Sequence, residues 1–156
     1  MASQRRRKSA DEVHRNMSAI RSRDNKTERD LARLLHSFGL RFRRQCRTLP
    51  GCPDLVFSGP RVAVFVDGDF WHARDALTYG LSAVVKRMPP HSREYWSQKF
   101  AYRIRRDQEV TAILKSSGWQ VVRVWESDIQ NHLIEAALRI ALVVERRCAR
   151  STRGET

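Results

Sequence analysis

Residues Pro50 to His72, PGCPDLVFSGPRVAVFVDGDFWH, decide the fold. Leu55-Val56-Phe57 and Val62-Ala63-Val64-Phe65-Val66 are nearly continuous apolar runs, the pattern of strands buried on both faces. Ser58-Gly59-Pro60 between them has the composition of a turn. Runs joined this tightly are neighbours and antiparallel. Asp54, at the entry of the first, therefore lies near Asp67, Asp69 and His72 at the exit of the second. Carboxylates and an imidazole gather at one sheet edge, beside Phe70 and Trp71.

The chain of 156 residues carries 30 Lys and Arg against 17 Asp and Glu, a net charge of +13, and its pI is near 10.9. Such a surplus favours a polyanionic partner. Nucleic acid is preferred to membrane, since no apolar run approaches the length of a bilayer span. Carboxylates and a histidine at a sheet edge of so basic a chain point to a metal-dependent nuclease site. The N-terminus (Arg5, Arg6, Arg7, Lys8) is basic but has no apolar signal core, and reads as a solvated or phosphate-binding arm. The three cysteines, Cys46, Cys52 and Cys148, include no CxxC pair, which fits a reducing cytosol; the expected localisation is cytoplasmic and nucleoid-associated. Cys52 lies two residues from Asp54 but has no evident base, and reads as a structural thiol.

Residues 1–10 read as a disordered basic arm, 11–148 as a single domain and 149–156 as a disordered tail. A helical pattern begins near Asp11 with Val13, Met17 and Ile20. Thr27 opens a second helix with Asp30 at N3, Leu31, Leu34, Leu35 and Phe38 on its stripe, and Gly39 as its stop. Leu40–Arg44 reads as an edge strand guarded by arginines. Residues 73–92, with Gly80 and Pro89-Pro90, read as a loop carrying little structure. Ser92 caps a long helix ending at Gly118; Trp119–Trp125 is a strand, and Asp128 caps a last helix. The order αβββαβα predicts a three-layer α/β fold, with a meander entering a mixed sheet and a crossover helix before the last strand.

That order, with an aspartate leading the second strand and further site residues ending the third, resembles the restriction-endonuclease-like PD-(D/E)xK core. A narrower likeness rests on a series of short words: Asn16-Met17-x-x-Ile20, Arg23-Asp24 followed by Glu28, Pro53-Asp54, Gly68-x-Phe70-Trp71-His72, Glu94-Tyr95-Trp96, Arg106-Asp107, Gly118-Trp119 and Val124-Trp125-Glu126. Over roughly residues 12–127 the chain is similar to the very-short-patch-repair (Vsr) mismatch endonucleases.

The resemblance implies Asp54 as the carboxylate that bridges a pair of Mg²⁺ ions, with the backbone carbonyl of Val66 as a second protein ligand. It implies His72 as general base or proton shuttle and Glu28 as the carboxylate that orients it. Asp54 is the one carboxylate placed to bridge such ions, and a turn role after proline is its less favoured alternative. Without the resemblance, Glu28 reads equally as a helix-dipole partner. Phe70, Trp71 and Trp96 are the implied wedges beside a mispair; for Trp71 and Trp96 this is favoured over a core role. Met17 and Ile20 reach the other groove, and Lys99 and Arg103 touch the DNA. Arg103 stands where an amide residue is expected. Asp67 departs from the family's histidine and stays open between holding a metal-bound water and a turn role. Asp107 reads as a neighbour of the site or a partner for nearby arginines.

The family's structural zinc requires thiolates and imidazole where this chain has Asp69, Ala73-Arg74-Asp75-Ala76 and Ser127. No zinc is expected; an Asp69–Ser127 hydrogen bond or an Asp69–Arg74 ion pair is expected in its place. The implied function is Mg²⁺-dependent nicking of one strand 5′ to the thymine of a T:G mispair in double-stranded DNA. The expected protein is a monomer in transient contact with mismatch-repair proteins. The alternatives are a related nuclease with another mismatch, modified-base or restriction-linked target, and a catalytically idle DNA-binding protein.

Overall fold

Apolar runs without alternation need cover on both sides, and the strands obtain it. In a computed structural model that describes residues 26–69 and 73–152, β2 (Leu55–Phe57) and β3 (Val62–Asp67) pair antiparallel, Leu55 opposite Val64 and Phe57 opposite Val62. The residue that turns the chain left-handed between them is Arg61, at φ 52°, not the glycine. β1 (Arg43–Arg44) lies antiparallel outside β2 and is shorter than the Leu40–Arg44 strand expected. β4 (Gln120–Trp125) pairs parallel with β3, giving a four-stranded sheet in the order β1-β2-β3-β4. The mixed α/β architecture agrees with the fold class read from the sequence.

One face of the sheet is covered by α1 (residues 26–37), α5 (Glu126–Asn131) and α6 (Leu133–Thr152). Leu31 and Leu35 of α1, Leu55 and Phe57 of β2, and Ile140 of α6 are buried in that layer's core. The other face is covered by α4 (Arg93–Ser116), whose Val110 and Leu114 pack on Ala63 and Phe65. α1 ends as its sequence predicts: the N–H of Gly39 (φ 79°) donates to the His36 carbonyl and that of Leu40 to the Leu35 carbonyl. This is a Schellman stop, closed by apolar residues of the same core cluster, Leu35 and Leu40.

Four expectations are corrected. Residues 73–92 are not a structureless loop. They form α2 (Arg74–Tyr79), α3 (Leu81–Lys86) and a 3₁₀ turn at Pro90–Ser92, because Ala73, Ala76 and Val84 bury themselves against Phe100 at the start of α4. Gly80 (φ 89°) joins the two short helices. Asp128 caps nothing: it lies inside α5, and the chain breaks at His132 (φ −140°) before α6, with no Gly or Pro to mark the place. Thr27 is not the cap of α1, since residue 26 is already helical and the Thr27 hydroxyl turns to Glu126 Oε1 at 3.5 Å. α6 continues to Thr152, beyond residue 148 where the tail was expected to begin. The segment with Val13, Met17 and Ile20 lies outside the described residues. Among the described residues, no helix is long and apolar enough to cross a membrane.

Candidate active site

Pro53 is buried and delivers Asp54 to the mouth of the hairpin. The Asp54 N–H donates to the Val64 carbonyl (2.9 Å), and its own carbonyl accepts from Gln45 N–H (2.9 Å). With its backbone held between β1 and β3, the carboxylate reaches along β3, where Oδ2 accepts from Val66 N–H at 2.7 Å. In an extended strand the N–H and C=O of one residue point to the same side. The Val66 carbonyl therefore faces the edge on which the Asp54 carboxylate lies. A carboxylate and a backbone carbonyl form an all-oxygen donor set that suits a hard cation which keeps its waters, such as Mg²⁺. It does not suit zinc. Among the described residues, no group of three or more His, Cys, Asp or Glu is placed to hold a metal ion.

Glu28, on α1, is only 9% exposed. Its Oε2 is 3.6 Å from Arg44 Nη2 on β1. β1 itself is tied to the site by the Gln45–Asp54 bond and by Cys46 N–H donating to the Pro53 carbonyl (3.0 Å). Glu28, Arg44 and Asp54 thus share the edge of the sheet nearest β1. His72, Phe70 and Trp71 lie outside the described residues, as do Met17 and Ile20.

Asp67 closes β3 and is 3% exposed. Arg123 Nη1 donates to both of its carboxylate oxygens, at 2.8 and 2.7 Å. Arg123 Nη2 reaches Asp107 Oδ1 at 3.4 Å, and the guanidinium lies 4.7 Å from the centre of the Phe65 ring. Asp67 is therefore neither a turn residue nor turned to solvent, and Asp107 is a partner of the same arginine. Arg123 was missed in the sequence. Its signal was a lone cation inside the apolar run Val121–Trp125, on the Phe65 side of the alternation. Asp67, Asp107 and Arg123 line a cavity of about 380 Å³ between β4, α4 and Leu77 of α2.

At the place expected to lack zinc, both contacts anticipated from the sequence occur together. Ser127 donates to Asp69 through its N–H (3.0 Å) and its hydroxyl (2.5 Å). Arg74 Nη1 donates to Asp69 Oδ1 (3.0 Å) and to the Ser127 hydroxyl (2.5 Å), and Nη2 pairs with Asp128 at 2.8 Å. Partial burial would raise the Asp69 pKa, but the hydrogen bonds from Ser127 and Arg74 outweigh it and hold the carboxyl below its ordinary 3.8. The hydrogen bond to Asp128, ahead of that to Asp69, raises the pKa of Arg74. The network joins the end of β3 to the start of α5.

Trp96 is half-buried on α4, with its ring 5.4 Å from that of Phe100 and 5.3 Å from that of Tyr95. Lys99 Nζ lies 5.2 Å over it and donates to the Tyr95 hydroxyl at 2.8 Å. Arg103, a turn further on, is exposed.

Residues 7–78 match the family model for DNA mismatch endonuclease Vsr, a span that contains Glu28, Asp54, Val66 and His72. The type II nicking enzyme V.XorIIP of Xanthomonas oryzae pv. oryzae (strain KACC10331 / KXO85) is 37% identical over 79% of this chain and 86% of its own length. The type II nicking enzyme V.NmeDIP of Neisseria meningitidis serogroup C is 41% identical over 72% of each chain. The DNA mismatch endonuclease Vsr of Escherichia coli (strain K12) is 37% identical over 72% of this chain and 67% of its own length. With the hairpin, the carboxylate edge and these relatives in place, the chain belongs to the Vsr family of DNA mismatch endonucleases.

Proposed function

We propose that this chain is a Mg²⁺-dependent endonuclease that nicks one strand of duplex DNA 5′ to the thymine of a T:G mispair. The observation that carries the reading is the Asp54 carboxylate bonded to Val66 N–H at 2.7 Å, beside a strand edge whose next acceptor is the Val66 carbonyl. Mg²⁺ bound by these oxygens would relieve charge on the phosphate and make its water more acidic. His72 takes the proton from the attacking water, and the Glu28 carboxylate orients the imidazole. Phe70, Trp71 and Trp96 enter the stack at the mispair, where unstacking costs least. Lys99 and Arg103 hold the backbone beside them, and Met17 and Ile20 reach the opposite groove.

The test is single-turnover nicking with Mg²⁺ on T:G, other mispairs and fully paired duplexes. Wild type is expected to cut T:G fastest, Asp54→Asn not to cut, and His72→Ala to lose roughly 10²- to 10⁴-fold, the usual worth of a general base. Equal cutting by wild type and Asp54→Asn would sink the mechanism. A second reading, a nicking enzyme with a different target, is favoured by the relatives named type II nicking enzymes and by Arg103 at an expected amide position. Faster cutting of a substrate other than T:G would select it.

A further inference from the structure

β1 and the residues that flank it carry more cations than their own structure uses. Arg41, Arg43, Arg44 and Arg47 are all exposed. Phe42 turns inward among them to stack on His36, ring centres 4.3 Å apart. Arg44 pairs with Glu28. Arg41, Arg43 and Arg47 have no ion-pair partner among the described residues. Charged side chains guard a sheet edge against other strands, but that task alone does not call for a cluster of one sign. Four of one sign, over seven positions, make a strongly positive ribbon. The hydrogen bonds from Gln45 to Asp54 and from Cys46 to Pro53 fix it directly alongside the site (2.9 and 3.0 Å).

We propose that Arg41, Arg43, Arg44 and Arg47 form a phosphate rail, which binds the DNA backbone across Asp54 from β4. The inference rests on the nuclease reading, and it adds a second anchor to the one formed by Lys99 and Arg103 on α4. Guanidinium groups suit this task because their planar forks meet phosphate oxygens in pairs. The rail carries no base preference, since phosphate contacts position a protein without reading sequence.

Each phosphate contact contributes about 0.9 to the slope of log affinity against log salt. The experiment is binding of the full chain to a short mispaired duplex in EDTA, without cutting, across a salt series. Arg41→Gln/Arg43→Gln is expected to flatten the slope by about 0.9 for each arginine removed, while Arg41→Lys/Arg43→Lys keeps it. Arg146→Gln/Arg150→Gln removes as much charge from α6, near the end of the sheet opposite the site, where Arg147 bonds the Pro60 and Gly118 carbonyls. That control is expected to leave the slope unchanged. A wild-type slope in Arg41→Gln/Arg43→Gln, or an equal fall in the α6 control, overturns the rail. Should the β1 double variant not fold, Arg47→Gln, outside the strand, is expected to lose one contact, and an unchanged slope there overturns the proposal as well. Nicking of the same duplex with Mg²⁺ by wild type, lost in Asp54→Asn, shows separately whether the nuclease reading stands.

Discussion

Single positions carry sharply different loads, and Gly51 and Gly59 show it. Gly51 sits at φ +76°, and a Cβ there would lie 2.5 Å from Val110 Cγ1 and 3.2 Å from Phe65 Cε1. Gly59 has open space around it and no positive φ. Gly51→Ala is expected to cost about 2 kcal/mol or more through backbone strain and overpacking. Gly59→Ala is expected to be nearly neutral, and urea unfolding of both variants checks the contrast. The role of Asp67 follows from its partner, which stands 56 positions away, so nothing local in the sequence could reveal it. Asp67→Asn leaves a largely buried guanidinium short of its counter-charge and should cost about 3 kcal/mol. Asp67→Leu/Arg123→Met should recover most of that loss, because an apolar pair needs no desolvation of charge. Nicking by Asp67→Asn should keep the wild-type dependence on Mg²⁺ concentration, since both Asp67 oxygens are occupied by Arg123; a weakened dependence would make Asp67 part of the metal site.

At the scale of elements, the Asp69–Arg74–Ser127–Asp128 network joins the β3–α2 corner to the β4–α5 corner. Its acid sensitivity follows from the lowered Asp69 pKa. A carboxylate with a depressed native pKa stabilises the fold fully above its unfolded value. The contribution fades as pH falls through the native value. Asp69→Asn should therefore melt a few degrees below wild type at pH 7, with the gap narrowing once the pH drops below the ordinary value of 3.8; thermal scans across pH measure it. A gap as wide at pH 2 as at pH 7 would assign the effect to packing. Both halves of this clasp were legible because acid, base and hydroxyl replaced ligands at known offsets. The helices α2 and α3 were not. Each has six residues, too short for periodicity to stand out, and their stability comes from packing on Phe100 rather than from propensity. The break at His132 has no sequence mark at all.

For the whole molecule, the sheet order was legible because its inner strands are unbroken apolar runs and the single long connection precedes a parallel partner. The layers follow: α1 and α6 on one face, α4 on the other. What composition could not locate was where the surplus positive charge would gather. The sheet places part of it on β1, the one edge bonded to Asp54. The hairpin has a further consequence, for the time course of folding. Asp54 and Val66 are only 12 positions apart, whereas Asp69 and Ser127 are 58 apart. Short loops close early and at little entropic cost; long ones wait for the rest of the chain. A nascent chain can thus complete the proposed cation-holding pair within one hairpin, while the pairing of β3 with β4 and the clasp beyond it must wait until α4 has been made and has crossed the sheet.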